Sequence, residues 1–145
     1  MWRRIFVSAT IITIAAIPAL AQLQTVNIEN PWIRFITPQT PAAGYFTVTN
    51  VGAHPVVITG ASSPDCGSLM LHQSRNVSGT ERMDMVPSVT IPARGSLSFA
   101  PGGYHLMCVS PSAKVVVGAS IPVTLTFQDK RTITKPFQVR GPSGH

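Results

Sequence analysis

Two imidazoles and two thioethers in this chain are of types that could serve metal chemistry: His72, Met83, His105 and Met107. Ten residues separate His72 from Met83, twenty-one separate Met83 from His105, and one separates His105 from Met107. Thioether sulfur is a soft donor and neutral imidazole a borderline one, and together they favour Cu(I) over zinc, magnesium or calcium. No carboxylate cluster accompanies them to offer a harder site. A set of two His and two Met carries no charge of its own, which suits a monovalent ion and does not favour its oxidation to Cu(II).

The stretch Pro101-Gly102-Gly103-Tyr104-His105-Leu106-Met107-Cys108 displays half of this set after a glycine turn. In an extended strand successive side chains alternate, so His105 and Met107 point one way while Leu106 and Cys108 point the other, toward a core. The other half lies upstream. Leu69-Met70-Leu71-His72 closes an apolar run before a polar loop, Gln73 to Glu81, and Arg82-Met83-Asp84-Met85 resumes as a strand. Met70 and Met85 read as core or rim residues, each two positions from a proposed ligand. His54, before Pro55, reads as a loop residue and His145 as part of a tail. Asn76-Val77-Ser78 matches a glycosylation sequon, which has meaning only in a eukaryotic secretory pathway.

The elements that must position these residues are strands. Thirteen prolines and eleven glycines punctuate the chain, and no window after the first residues carries a helical stripe. Period-two or β-branched runs predict strands at 26–29, 32–36, 43–50, 56–62, 68–74, 82–86, 89–91, 96–100, 104–109, 122–128 and 131–139. Turn chemistry lies between them, as at Val77-Ser78-Gly79, Pro92-Ala93-Arg94-Gly95 and Pro101-Gly102-Gly103. Asp129-Lys130 joins the last two runs as a terminal hairpin. Many short antiparallel strands at this spacing predict a β-sandwich or barrel.

Met1-Trp2-Arg3-Arg4, the apolar run Ile5 to Ala16 and the small-x-small site Ala19-Leu20-Ala21 read as a secretory signal peptide over residues 1–21, with one domain over 22–145 and its core at about 26–139. The apolar run is shorter than a membrane-spanning helix needs, so no stable membrane insertion is expected once the leader is removed. Losing Arg3 and Arg4 takes the formal charge from +6 to +4. The remaining basic residues are scattered without interleaved aromatics, which argues against a nucleic-acid partner. Cys66 and Cys108 belong to segments that converge on the same site. In an oxidising compartment they are either one disulfide or two small buried thiols.

The spacing His72-x10-Met83-x21-His105-x-Met107 matches, in residue types and intervals, the signature of the periplasmic PCu(A)C copper chaperones. The phrases Ile91-Pro92-Ala93-x-Gly95 and Pro101 to Met107, and the closing pair around Leu125-x-Phe127, also resemble that family over roughly Val26 to Val139. The resemblance implies a cupredoxin-like antiparallel β-sandwich of Greek-key type. It further implies that one Cu(I) is held in an exposed site by His72, Met83, His105 and Met107 and passed to a partner in the periplasm. That partner is a copper-accepting protein of cytochrome oxidase assembly, either subunit II with its CuA centre or another copper chaperone. Cys66 and Cys108 depart from the core signature; as a disulfide they would offer no competing thiolate.

Three other readings are weaker. A blue-copper electron carrier needs a Cys thiolate with His and Met close by in one loop, and Val109 to Lys114 after Cys108 holds neither. An enzyme with a nucleophilic or redox cysteine lacks a Cys-x-x-Cys pair and a recognisable His–carboxylate dyad. A metal-free interaction module would make the spacing a coincidence. The expectation is a binding and transfer protein, with no turnover chemistry.

Overall fold

Alternation is clearest in Ile121-Pro122-Val123-Thr124-Leu125-Thr126-Phe127, where the four apolar positions are buried and the residues between them reach the surface. A period of two with one buried face is what a half-solvated strand requires. The computed structural model describes residues 25–145 and has ten strands there. They are β1 (Val26–Arg34), β2 (Ala42–Asn50), β3 (Val56–Ser62), β4 (Cys66–Val77), β5 (Thr80–Met85), β6 (Val89–Ile91), β7 (Gly95–Phe99), β8 (Tyr104–Pro111), β9 (Ser120–Phe127) and β10 (Thr132–Arg140). The signal peptide expected over 1–21 lies outside the described residues.

Hydrogen bonding runs in the order β5-β4-β8-β2-β1-β10-β9-β3-β6. β2 is shared along its length: Ala42 to Gly44 pair with β8, and Phe46 to Asn50 pair with β7. The all-β sandwich expected from the sequence is the observed fold, with one pairing of the other sense. β1 and β10 run parallel, Trp32 beside Gln138 and Arg34 beside Arg140. Parallel neighbours need a long crossover, and the first and last strands have the whole intervening chain to supply it.

Beyond strand ends shifted by one to three residues, two features differ from the sequence expectation. The runs expected at 26–29 and 32–36 merge into one strand, β1, which ends at Arg34 and is interrupted by a register shift between Glu29 and Trp32. Asn30 takes a positive φ of 48° at that bulge, and Pro31, with no N–H to give, sits where the ladder is broken. The polar stretch Gln73 to Glu81 is not a loop but most of a hairpin. Val77-Ser78-Gly79-Thr80 closes it in two residues, both at positive φ, Ser78 at 53° and Gly79 at 82°. Asn76 Oδ1 accepts from the Gly79 N–H at 3.0 Å and fixes the turn. The stretch reads as polar because much of this hairpin arm is exposed.

The core is filled from all sides by Ile33, Val48, Ile58, Ile91, Leu106, Val123, Leu125 and Phe137. Phe46 stacks on Phe99 at 4.3 Å between centroids and meets Phe137 edge-on at 5.7 Å. Cys66 and Cys108 are joined as a disulfide across β4 and β8, with Cα atoms 5.3 Å apart. Cys108 points away from the Met107 face, into the core beside Leu69 and Leu71. The bridge closes a loop of 42 residues, and cross-linking a loop of that size restricts the unfolded chain by about 4 kcal/mol in the chain-entropy account. Replacing both cysteines with alanine should therefore lower the urea unfolding free energy by about 2–4 kcal/mol. Equal midpoints for the variant and the oxidised wild type would show the bridge to be energetically idle.

Candidate metal centre

The glycine turn before β8 sets the chemistry of His105. Gly102 sits at a φ of 85°, which a side chain would strain, and the Gly103 N–H donates to Ala100 O at 3.0 Å. The Gly103 carbonyl then accepts twice, from the Ser74 N–H at 3.0 Å and from His105 Nδ1 at 3.3 Å. A carbonyl only accepts, so Nδ1 carries the proton and the lone pair of the neutral ring is at Nε2. The turn fixes the tautomer that leaves Nε2 free to bind.

His72 on β4 stands directly opposite His105, with ring centroids 5.7 Å apart. Both ring nitrogens of His72 are buried and neither has a hydrogen-bond partner. A buried polar atom left unpaired costs about 1–3 kcal/mol, and such atoms in native proteins call for an explanation such as catalysis or a bound ion. A nitrogen that binds a metal fits this description. The two rings are tilted by 46° to each other and share no hydrogen bond.

The register of the two hairpin partners explains the sequence spacing. The two-residue turn at Ser78-Gly79 places Met85 opposite His72 and Met83 opposite Ser74, so Met83 lies diagonally from His72. Across β4–β8, Met70 is opposite Met107, and Ala43 of β2 flanks Met107 on its other side. Opposite residues share a face of the sheet. Met70, His72, Met83, Met85, His105 and Met107 therefore lie on one face, and Leu69, Leu71, Leu106 and Cys108 on the other, in the core.

Met83, His105 and Met107 line a common groove of about 270 Å³, although β4 separates the strand of Met83 from that of His105. Arg34, Ile36, Tyr45 and Glu81 complete its walls. His105 is only 4% exposed, which corrects the expectation of a pair displayed to solvent. It occupies the predicted face, but the groove walls cover it. Met107 is half-buried, and Met83, at 55% exposure, is the open side. Burial holds the His105 imidazole below its ordinary pKa. The Gly103 hydrogen bond opposes that shift, the charges of His72 and Arg34 add to it, and Glu81 opposes it.

Tyr45 and its neighbours were invisible as site residues in the sequence. Tyr45 packs on Trp32 at 4.8 Å between centroids and under the Arg34 guanidinium at 5.4 Å. Burial pushes its phenol up, Arg34 lowers it and Glu81 raises it. It is a neutral wall. The only sequence signal was the alternation Ala43-x-Tyr45, which has no meaning until β2 is known to pair with β8.

Other candidates fall away from this cluster. His54 lies in the β2–β3 connection, beside a larger cavity of about 440 Å³ at the far end of β2. His145 is in the tail, its Nδ1 3.4 Å from Ser143 Oγ. Cys66 and Cys108 offer no thiolate, since each sulfur is bonded to the other. Among the described residues no group of three or more His, Cys, Asp or Glu gathers as a harder site would need.

The family model described as "Putative lipoprotein LpqE-like" matches residues 26–139. The chain is 33% identical over 124 residues to "Putative lipoprotein Lxx21020" of Leifsonia xyli subsp. xyli, spanning 85% of this chain and 74% of that relative. Among solved structures it is similar to the copper-bound PCuAC domain from PmoF2, with 27% identity, a TM-score of 0.68, and 81% and 94% of the two chains covered. It is also similar to the solution structure of Cu(I)-DR1885 from Deinococcus radiodurans, with 30% identity, a TM-score of 0.63, and 88% and 81% covered. The family match runs from the first residue of β1 to within one residue of the end of β10, so it takes in every strand that carries the site, and the chain belongs to the PCuAC, or LpqE-like, family.

Proposed function

We propose that this protein is an exported chaperone that holds one Cu(I) with His72, Met83, His105 and Met107 and hands it to a partner. The observation that carries this reading is the pair of facing imidazoles, His105 with Nδ1 committed to Gly103 and His72 with both nitrogens buried and unpaired. Two thioethers on the same face complete a neutral set of soft and borderline donors. The solved relatives with copper bound support the choice of cargo, and relatives named as lipoproteins support export. The leader read over 1–21 would direct the domain to the periplasm, and the partner we assign is a copper acceptor of cytochrome oxidase assembly, subunit II or a second chaperone.

The unequal exposure of the donors describes a transfer route. Met83 reaches solvent while His105 does not, so within the four-donor set an incoming donor meets Met83 before His105. Thioethers are uncharged and exchange one at a time, so the ion passes through shared coordination without being released. No bond is made or broken in the protein chain, and no turnover is involved.

In competition with a chromogenic Cu(I) chelator, the wild type should retain one equivalent and Met107→Ala should weaken binding on the order of a hundredfold, since even outer-shell partners of a metal site contribute 10–100-fold. Met83→Ala should show a similar loss with an unchanged unfolding midpoint, because that side chain is exposed. Failure of the wild type to hold Cu(I) would sink the proposal.

Acid provides a second check. A proton and the ion compete for the same Nε2 lone pair, so affinity falls as pH drops through the pKa of the free ring. For His105 that value lies below the ordinary ~6.5. The His105 ring signal followed by NMR in the metal-free protein should titrate below ~6.5, and its share of the Cu(I) affinity should persist down to that point. Titration at or above the ordinary value would contradict the buried, Gly103-bonded ring described here.

A further inference from the structure

Met70 and Met85 lie outside the four-donor set, yet the sheet sets each beside a member of it. Met85 is directly opposite His72 across β4–β5, and Met70 is directly opposite Met107 across β4–β8. Since Met70 is two positions from His72 on β4, Met70 and Met85 are diagonal neighbours on one face. Such neighbours are ~7–8 Å apart, within reach of long, unbranched side chains. Neither lines the groove that Met83, His105 and Met107 share. Met85 is 68% exposed and Met70 half-buried, so the face carries thioethers on both sides of His72.

The geometry points to a second, weaker Cu(I) station formed by the Met70 and Met85 thioethers beside the main site, a deepening that rests on the Cu(I) reading above. A neutral imidazole has a single lone pair, so His72, once it binds the first ion, has none for a second. An ion at Met70 and Met85 thus has two sulfur donors and open positions. Two neutral thioethers hold Cu(I) or Ag(I) and discriminate against zinc. The open positions are what an acceptor's own donors would fill, and Met85, more exposed than Met83, is where they would first arrive. Asp84 does not compete from between the two β5 methionines: it points to the opposite face of the hairpin, where it pairs with Arg75.

The test uses Ag(I), which mimics Cu(I) without redox chemistry, on the oxidised protein carrying methyl-labelled methionine. Native mass spectrometry counts bound ions and NMR reports each methyl group. The first equivalent should shift the Met83 and Met107 methyls, and a second, weaker equivalent should shift those of Met70 and Met85. The double variant Met70→Leu/Met85→Leu keeps side-chain volume. It should hold the first equivalent, which also shows that it folds, and lose the second. Persistence of the second equivalent in that variant, or Met70 and Met85 methyls that do not move with the second equivalent in the wild type, would each overturn the second station. Absence of any bound Ag(I) would instead overturn the main-site reading on which it rests.

Discussion

The antiparallel register between β4 and β8 is the constraint on which the rest of the site depends. It sets His72 opposite His105 and Met70 opposite Met107 on one face, and in the same stroke sets Leu71 opposite Leu106 and Leu69 opposite Cys108 on the other. A slip of β4 by one residue would turn Met70 and His72 into the core and Leu69 and Leu71 toward solvent. Burial of Leu69, Leu71 and Leu106 therefore enforces the placement of His72 opposite His105, at about 1.5–3 kcal/mol for each buried apolar side chain. The Cys66–Cys108 bridge ties the same two strands together covalently. Core packing and donor placement are two consequences of one alignment.

The donor face holds an unpaired polar group that the fold does not need. Both nitrogens of His72 are withdrawn from water without a hydrogen-bond partner, and His105 is buried with a single bond to Gly103. A leucine at position 72 would remove the unpaired nitrogens and stabilise the metal-free fold. An imidazole there instead is what the Cu(I) site we propose would require, since no apolar residue offers a lone pair. Exposure is divided in the same sense. The His105 ring is enclosed, which disfavours its charged form, whereas the thioether of Met83 is open to solvent.

Much of this arrangement was legible in the sequence, and what was not shares one cause. The all-β sandwich followed from period-two runs and turn residues, and the juxtaposition of His105 with Met107, and of Leu106 with Cys108, followed from strand alternation alone. The hairpin of β4 and β5 was hidden because its residues are polar on both faces, which reads locally as a loop; only the pair Ser78-Gly79 pointed to a tight reversal. Asn30-Pro31 read as a break, where the structure has a bulge within β1. The groove walls Arg34, Ile36, Tyr45 and Glu81, and the parallel pairing of β1 with β10, depend on contacts between residues far apart in the chain. Local pattern carries no information about these.

The measurement that bears most directly on the central claim is X-ray absorption at the copper edge of the Cu(I)-loaded, oxidised protein, with the same spectrum for His72→Leu. The account predicts a Cu(I) edge with both nitrogen and sulfur neighbours in the wild type, and a loss of nitrogen scattering with sulfur retained in the variant. A shell of nitrogen and oxygen alone, or a spectrum unchanged by loss of His72, would contradict it.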